Sequence, residues 1–258
     1  MTAPIRTLMG VETEYAMGGS SRRADQLMHM MRLGRRHFKY LPGHAHGDMF
    51  LGNGARIYID CVEHPEVCTP ECTNPTDLVR YVLAGERMLE AMLTLFRKDI
   101  PGSGEIRFYK SNVDYSGAGT TWGCHESYLC HKRPMQLSDD LIPHLVSRIL
   151  YTGAGGFNPL SPGIVPTLSP RVYHMSHVVA DGSTEQRGIF HAKNESLSNS
   201  GMHRLHLICG ESVCSHLANY LKVGTTALLV ALVDQGLHPG AGLKLSNPLQ
   251  AMHIFAED

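Results

Sequence analysis

The sequence predicts an α+β fold in which a largely antiparallel sheet carries helices on its outside. Strand-like and helix-like segments interleave along the 258 residues without the regular strand-helix-strand rhythm of a parallel sheet. Several short segments alternate polar and apolar side chains with a period of two, as half-buried antiparallel strands do. No fixed-period repeat or low-complexity tract breaks this organisation. At roughly 150 residues per domain the length corresponds to one or two domains, enough to bury a core without metal or disulfide staples.

The elements follow in order. Ile5 to Tyr15 reads as a strand on which Glu12 and Glu14 alternate with Val11, Thr13 and Tyr15, so both carboxylates share one face. Two glutamates facing the same way repel each other. A bound cation would relieve this, and so would an edge position with that face in solvent. Asp25 to Leu33 suggests a short helix, and Asn53-Gly54 a turn. In the strand Ala55 to Asp60, Arg56, Tyr58 and Asp60 share one face while Ile57 and Ile59 share the other. A cation, a phenol and a carboxylate are costly to bury together unless they serve one another or a ligand. Asn74 and Pro75 supply an N-cap and first position for a helix over Thr76 to Lys98. Ile106 to Asn112 and Trp122 to Leu129 read as strands, Leu137 to Leu150 as helical, and Gly153 to Pro170 as loop-rich. His203 to Cys209 alternates as a strand with Arg204 and His206 on one side and Leu205 and Leu207 on the other, before a helix over Val213 to Val233.

Composition narrows the function. Lys+Arg number 23 against 24 Asp+Glu, a net charge of -1, which argues against broad electrostatic binding of nucleic acid. No apolar run approaches the roughly 20 residues of a membrane span; the longest clean one is Ala227 to Val233. Met1 to Arg6 lacks the apolar stretch of a signal peptide, so a cytoplasmic protein with no membrane partner is expected. Cys61, Cys68, Cys72, Cys124, Cys130, Cys209 and Cys214 are odd in number and irregular in spacing, unlike a secreted disulfide framework. Among 16 histidines the tightest pair is His44 and His46, beside Pro42 and Gly43, and reads as a loop.

Acid-bearing clusters fall on different segments: Glu12/Glu14, Arg56/Tyr58/Asp60, His64/Glu66, Glu71 and His125/Glu126. Hard-cation sites gather carboxylates in this way, and magnesium commonly bridges them to nucleotide phosphates. Arg56 would then face a phosphate oxygen and Asp60 would act as a base or nucleophile. Zinc held by Cys61, His64, Cys68 and Cys72 is the competing reading, although the spacing matches no familiar finger. Gly153-Ala154-Gly155-Gly156 matches no complete phosphate-loop pattern and reads as a turn.

Ordered blocks of this sequence resemble one family. They are Gly10 to Tyr15, Asn53 to Asp60, His64 to Glu66, Thr69 to Pro75, Tyr109 to Asp114, Gly123 to Leu129 and Tyr220 to Ala227. All look like the Pup ligase and Pup deamidase/depupylase family, the proteasome accessory factors that attach and remove the small protein tag Pup. The resemblance implies a glutamine synthetase-like carboxylate-amine ligase fold with a curved, mainly antiparallel sheet and outer helices. It further implies one catalytic domain over 1–258, without the smaller C-terminal domain into which family members continue. By the same resemblance Glu12, Tyr58 and Glu66 hold Mg2+, Arg56 and Thr69 contact ATP, and Asp60 is the catalytic carboxylate, with Glu14, His125 and Lys193 as possible additions. The implied partners are Pup and pupylated or lysine-bearing proteins.

The branch is read from particular blocks. Thr69 to Pro75 and Asn112 to Asp114 look more like the deamidase side, whereas the short stretch between Tyr15 and Asn53 looks like the ligase side. The balance favours deamidation or depupylation of Pup's C-terminal side chain. The alternatives are a ligase joining Pup to a substrate lysine, and an impaired homologue that binds nucleotide or Pup. The last arises because His191 to Asn199 departs from the family pattern: Lys193 stands where an arginine is usual and Asn194 where an acid is usual. A lysine keeps the charge but not the bidentate fork.

Overall fold

The computed structural model describes residues 7–19, 22–42, 48–60, 62–193 and 201–257. In chain order its first half forms β1 (Met9–Glu14), β2 (Ala16–Gly18), α1 (Arg23–His37), β3 (Tyr40–Pro42), β4 (Met49–Leu51), β5 (Arg56–Ile59), β6 (Pro65–Cys68), α2 (Pro75–Asp99), β7 (Arg107–Tyr109) and β8 (Cys124–Cys130). The second half forms α3 (Ser138–Ser147), α4 (Ile149–Thr152), β9 (Gly156–Phe157), β10 (Pro166–Thr167), β11 (His177–Ala180), β12 (Gly188–His191), β13 (His203–Leu207), α5 (His216–Asp234) and α6 (Pro248–Glu257).

Seven strands form one sheet in the order β13-β8-β1-β6-β5-β4-β3, and every neighbouring pair is antiparallel. Three two-stranded pairs lie apart: β2-β7, β9-β10 and β11-β12, of which β11-β12 is parallel. The expected antiparallel α+β architecture is therefore the one observed.

Period-two alternation decides what each face of the sheet does. Val11, Ile57, Val67, Tyr128, Leu205 and Leu207 are buried on the helix-covered side. Asn74 caps α2, its Oδ1 accepting from Asp77 N–H at 2.9 Å, and Pro75 opens the helix. Gly85 on α2 meets β6 so closely that a Cβ there would lie 2.6 Å from Val67 Cγ1. α1 packs on α2 through Leu27, Met30, Met31 and Gly34, and it runs beyond the expected Asp25 to Leu33 at both ends, from Arg23 to His37. α5 is a core helix that buries Val223, Ala227 and Val230, with Ser215 Oγ accepting from Ala218 N–H at 3.2 Å.

Some elements differ from the sequence expectation. The helical stretch over Leu137 to Leu150 breaks at Arg148 into α3 and α4. The strand over Ile106 to Asn112 shrinks to β7, which pairs with β2 outside the main sheet. α6, β11 and β12 were not anticipated. α6 docks through Met252 and Ala256, and its Ala256 carbonyl accepts from Leu168 N–H at 2.7 Å. His44, His46, Cys61 and residues 194–199 lie outside the described residues.

Beneath β8 sits a buried ion pair. Arg148 donates from Nη1 and Nη2 to the two Glu126 oxygens at 2.8 and 2.7 Å, and Tyr128 OH donates to Glu126 at 2.7 Å. Glu126 and Arg148 side chains are 0% and 2% exposed, so His125/Glu126 is not one acidic cluster: the strand turns the two residues to opposite faces. Arg148→Met should cost ~3–5 kcal/mol, because it strands a buried carboxylate, whereas the double variant Glu126→Met/Arg148→Met should recover most of that loss. Urea unfolding of the two variants checks this; an equally unstable double variant would contradict it.

Candidate active site

The other face of the sheet is polar. Strand pairing sets its side chains in crosswise rows. Glu12 lies opposite Cys68 on one side and His125 on the other, and Cys68 lies opposite Arg56. One step along, Glu14 lies opposite Glu66, and Glu66 opposite Tyr58. Directly paired residues point to the same face, so Glu12, Glu14, Tyr58 and Glu66 converge although the sequence separates them by up to 54 positions. Asp60 follows the end of β5 on the same side.

Asp60 is held by its own loop. Its Oδ1 accepts from the backbone N–H of His64 at 2.6 Å and of Val62 at 3.0 Å, and Glu63 adopts a left-handed backbone with φ 63. The His64 ring meets Glu14 Oε2 at 3.0 Å and Asp60 Oδ2 at 3.8 Å, and it packs at 5.4 Å against Trp122. Two groups of side chains could each hold a cation: Glu12 with His125 and His206, and Glu14 with Asp60 and His64. Neither contains a cysteine. Among the described residues Cys72 Sγ donates to the Pro70 carbonyl at 3.3 Å and His64 is engaged by Glu14, so the zinc reading gains no support.

Charge is unevenly distributed over this face. Burial opposes ionisation of Glu12, but the His125 hydrogen bond and the His206, His125 and Arg204 charges outweigh it and pull the carboxyl down to about 2. Arg204 Nη2 donates to Glu12 Oε1 at 2.8 Å and its Nε donates to Ser127 Oγ at 2.9 Å. Glu66 goes the other way. Burial, together with the charges of Glu12, Glu14 and Asp60, pushes it up to about 8 against a hydrogen bond from Tyr58. Burial and the Glu14 charge also raise Asp60. Burial, with Cys68 and Glu66 nearby, raises the Tyr58 phenol, which stays a neutral oxygen donor. An all-oxygen set of crowded carboxylates and a phenol fits a hard divalent cation such as magnesium, whose charge would remove the mutual repulsion.

A cleft of about 410 Å³ opens beside these residues, at the N-terminal end of β1, and Gly10, Arg56, Thr69, Glu71 and Arg204 help line it. Thr69 is locked to β1: its Oγ1 accepts from Val11 N–H at 3.0 Å and its own N–H donates to the Val11 carbonyl at 2.9 Å. Arg56 reaches Asp48 at 2.6 Å. The structure therefore brings Glu12, Glu14, Tyr58, Asp60, Glu66 and His125 together on one face and sets Arg56 and Thr69 on the adjoining cleft. Lys193 is exposed beyond the end of β12. The sequence reading left out Arg204, His206, Asp48 and Trp122. Alternation along β13 already set Arg204 and His206 on one face; what it lacked was the strand pairing that points that face at Glu12.

The profile of the Pup-ligase protein family matches residues 7–258. The chain belongs to the Pup-ligase family. It is 38% identical over 217 residues to the Pup--protein ligase of Kineococcus radiotolerans, covering 82% of this chain and 47% of that one. It is 32% identical over 262 residues to the Pup--protein ligase of Sanguibacter keddieii, covering 98% and 56%. Among solved structures it resembles the ligase PafA in its complex with the prokaryotic ubiquitin-like protein Pup, with a TM-score of 0.79 at 28% identity over 100% of this chain and 52% of that one. It also resembles the Pup ligase PafA in complex with ADP, with a TM-score of 0.65 at 29% identity over 95% and 53%. The chain thus spans about half the length of these relatives. All of them bear the ligase name. These names favour the ligase alternative over the lean toward deamidation that Thr69 to Pro75 and Asn112 to Asp114 suggested.

Crowding of Glu66 has a pH signature in the metal-free protein. Its carboxyl is raised from 4.5 to about 8 on folding, so between these values the folded state binds more protons and stability falls as pH rises, by up to ~1.4 kcal/mol per pH unit. Glu66→Gln should flatten this decline in melting temperature, and magnesium should stabilise the unmutated chain above about pH 7 far more than the variant. An unchanged slope in the variant would contradict the charge account.

Proposed function

We propose that this chain carries the catalytic face of an ATP-dependent Pup ligase, which joins the C-terminal glutamate side chain of Pup to a lysine of a substrate protein. The observation that carries the reading is the convergence of Asp60 with Glu12, Tyr58 and Glu66 beside a cleft holding Arg56 and Thr69. Its family relatives are ligases, and one neighbour binds ADP.

In this reading Arg56 and the Thr69 loop position the nucleotide, which supplies the phosphoryl group that activates Pup's carboxylate. Glu12, Tyr58 and Glu66 would hold magnesium, which would supply positive charge to offset that of the phosphates. The lysine amine attacks the carbonyl carbon of the resulting acyl phosphate, Asp60 takes the amine's proton, and the C–O bond to phosphate breaks as the isopeptide C–N bond forms. The raised Asp60 carboxyl suits a base. Its two backbone hydrogen bonds fall on Oδ1, leaving Oδ2 to take the proton. His64 stands 3.8 Å from Asp60 Oδ2, and its ring packs on Trp122.

Intact mass spectrometry tests the reading. With magnesium-ATP, Pup ending in glutamate and a lysine-bearing acceptor, the chain should yield the adduct less one water. Asp60→Asn should lower the rate by at least ~100-fold while nucleotide still binds. Undiminished adduct in that variant would remove Asp60 from its role. Conversion of Pup ending in glutamine to the acid, without adduct, would return the protein to the deamidase branch.

A further inference from the structure

Arg56 has a built seat, made partly of residues to which the functional reading gives no role. Asp48 precedes β4 and its side chain is 4% exposed, whereas that of Arg56 is 31% exposed. Asp48 Oδ2 accepts a charge-assisted hydrogen bond of 2.6 Å from Arg56 Nη2. The guanidinium carbon lies 3.9 Å from the centre of the Tyr58 ring and 5.5 Å from that of Phe50. Phe50 is the cross-strand partner of Arg56, and Tyr58 follows two positions along the same strand, so all three share a face. The Arg56 Nε–H is shielded and meets no acceptor among the described residues. Arg35 in turn donates to the Asp48 carbonyl at 3.4 Å, tying this seat to α1.

On charge alone Asp48 is badly placed for a nucleotide site. It neutralises the arginine and repels phosphate. Geometry argues the other way. A guanidinium recognises phosphate through a planar fork, and the fork works only in a matching orientation. Asp48 fixes one edge of that plane while the Tyr58 and Phe50 rings fix its tilt. We propose that Asp48 is a positioning residue for nucleotide binding: it holds Arg56 ready to meet phosphate, and the gain in orientation exceeds the repulsion. This rests on the nucleotide reading of the cleft.

The two forces predict opposite signs, which makes the test sharp. Calorimetric titration of the full chain with magnesium-ADP should show Asp48→Asn binding about tenfold more weakly, equivalent to ~1.4 kcal/mol, with the loss appearing in the KM for nucleotide and kcat unchanged. Equal or tighter binding by a folded Asp48→Asn variant would overturn the proposal. Should that variant not fold, Phe50→Leu takes its place: weaker nucleotide binding supports the seat and unchanged binding overturns it. If the unmutated chain takes up no nucleotide, the functional reading fails on its own. The seat is then tested by the Arg56 Nε–H resonance, which shifts in Asp48→Asn if the clamp exists and stays put if it does not.

Discussion

Everything on the polar face depends on the register of three antiparallel strands. Glu14, Glu66 and Tyr58 form one row across β1, β6 and β5, and Glu12, Cys68 and Arg56 form the next. A slip of one residue in either pairing would turn the carboxylates into the core and the core into solvent. The register is held from the other side by Val11, Val67 and Ile57, which are at most 4% exposed, and by the closeness of Gly85 to Val67. Hydrophobic burial under the sheet thus holds together charges above it that would otherwise drive the strands apart.

The charged face is balanced rather than neutral. At one end Arg204, His125 and His206 surround Glu12 and keep it ionised. At the other, Glu66 is raised by burial and by three acids. This gradient leaves one carboxylate ionised and another protonated near neutral pH; in the proposed metal site a bound cation would draw the second proton off. Beneath them, the Arg148–Glu126 pair anchors β8, the strand that presents His125. Buried ion pairs add little net stability against apolar replacements, and this one sits where it fixes the strand direction under the site.

Much of this was legible in the sequence. Alternation identified β1, β5 and β8, and the Asn74-Pro75 start identified α2, because those signals are local. The same-face grouping of Glu12 with Glu14, and of Arg56 with Tyr58, followed from the strand period alone. The resemblance then assigned roles that periodicity could not. What remained hidden was non-local. Arg204 lies 192 residues from Glu12 in sequence, and no pattern along the chain announces that β13 lies beyond β8. Glu126 was grouped with His125 because both are polar, although neighbouring residues on a strand face opposite ways. The apolar positions of α6, Leu249, Met252 and Ala256, span only about two turns, too few for periodicity to mark a helix.

Strand pairing and charge crowding on this face support the central proposal that Glu12, Tyr58 and Glu66 together make a hard-cation site. Anomalous diffraction from crystals of the chain soaked in manganese, as a stand-in for magnesium, tests that most directly. The account predicts a peak about 2.1 Å from oxygens of Glu12 and Glu66, with Arg204 drawn off Glu12. The absence of a peak there, with Arg204 still bound to Glu12, would contradict it.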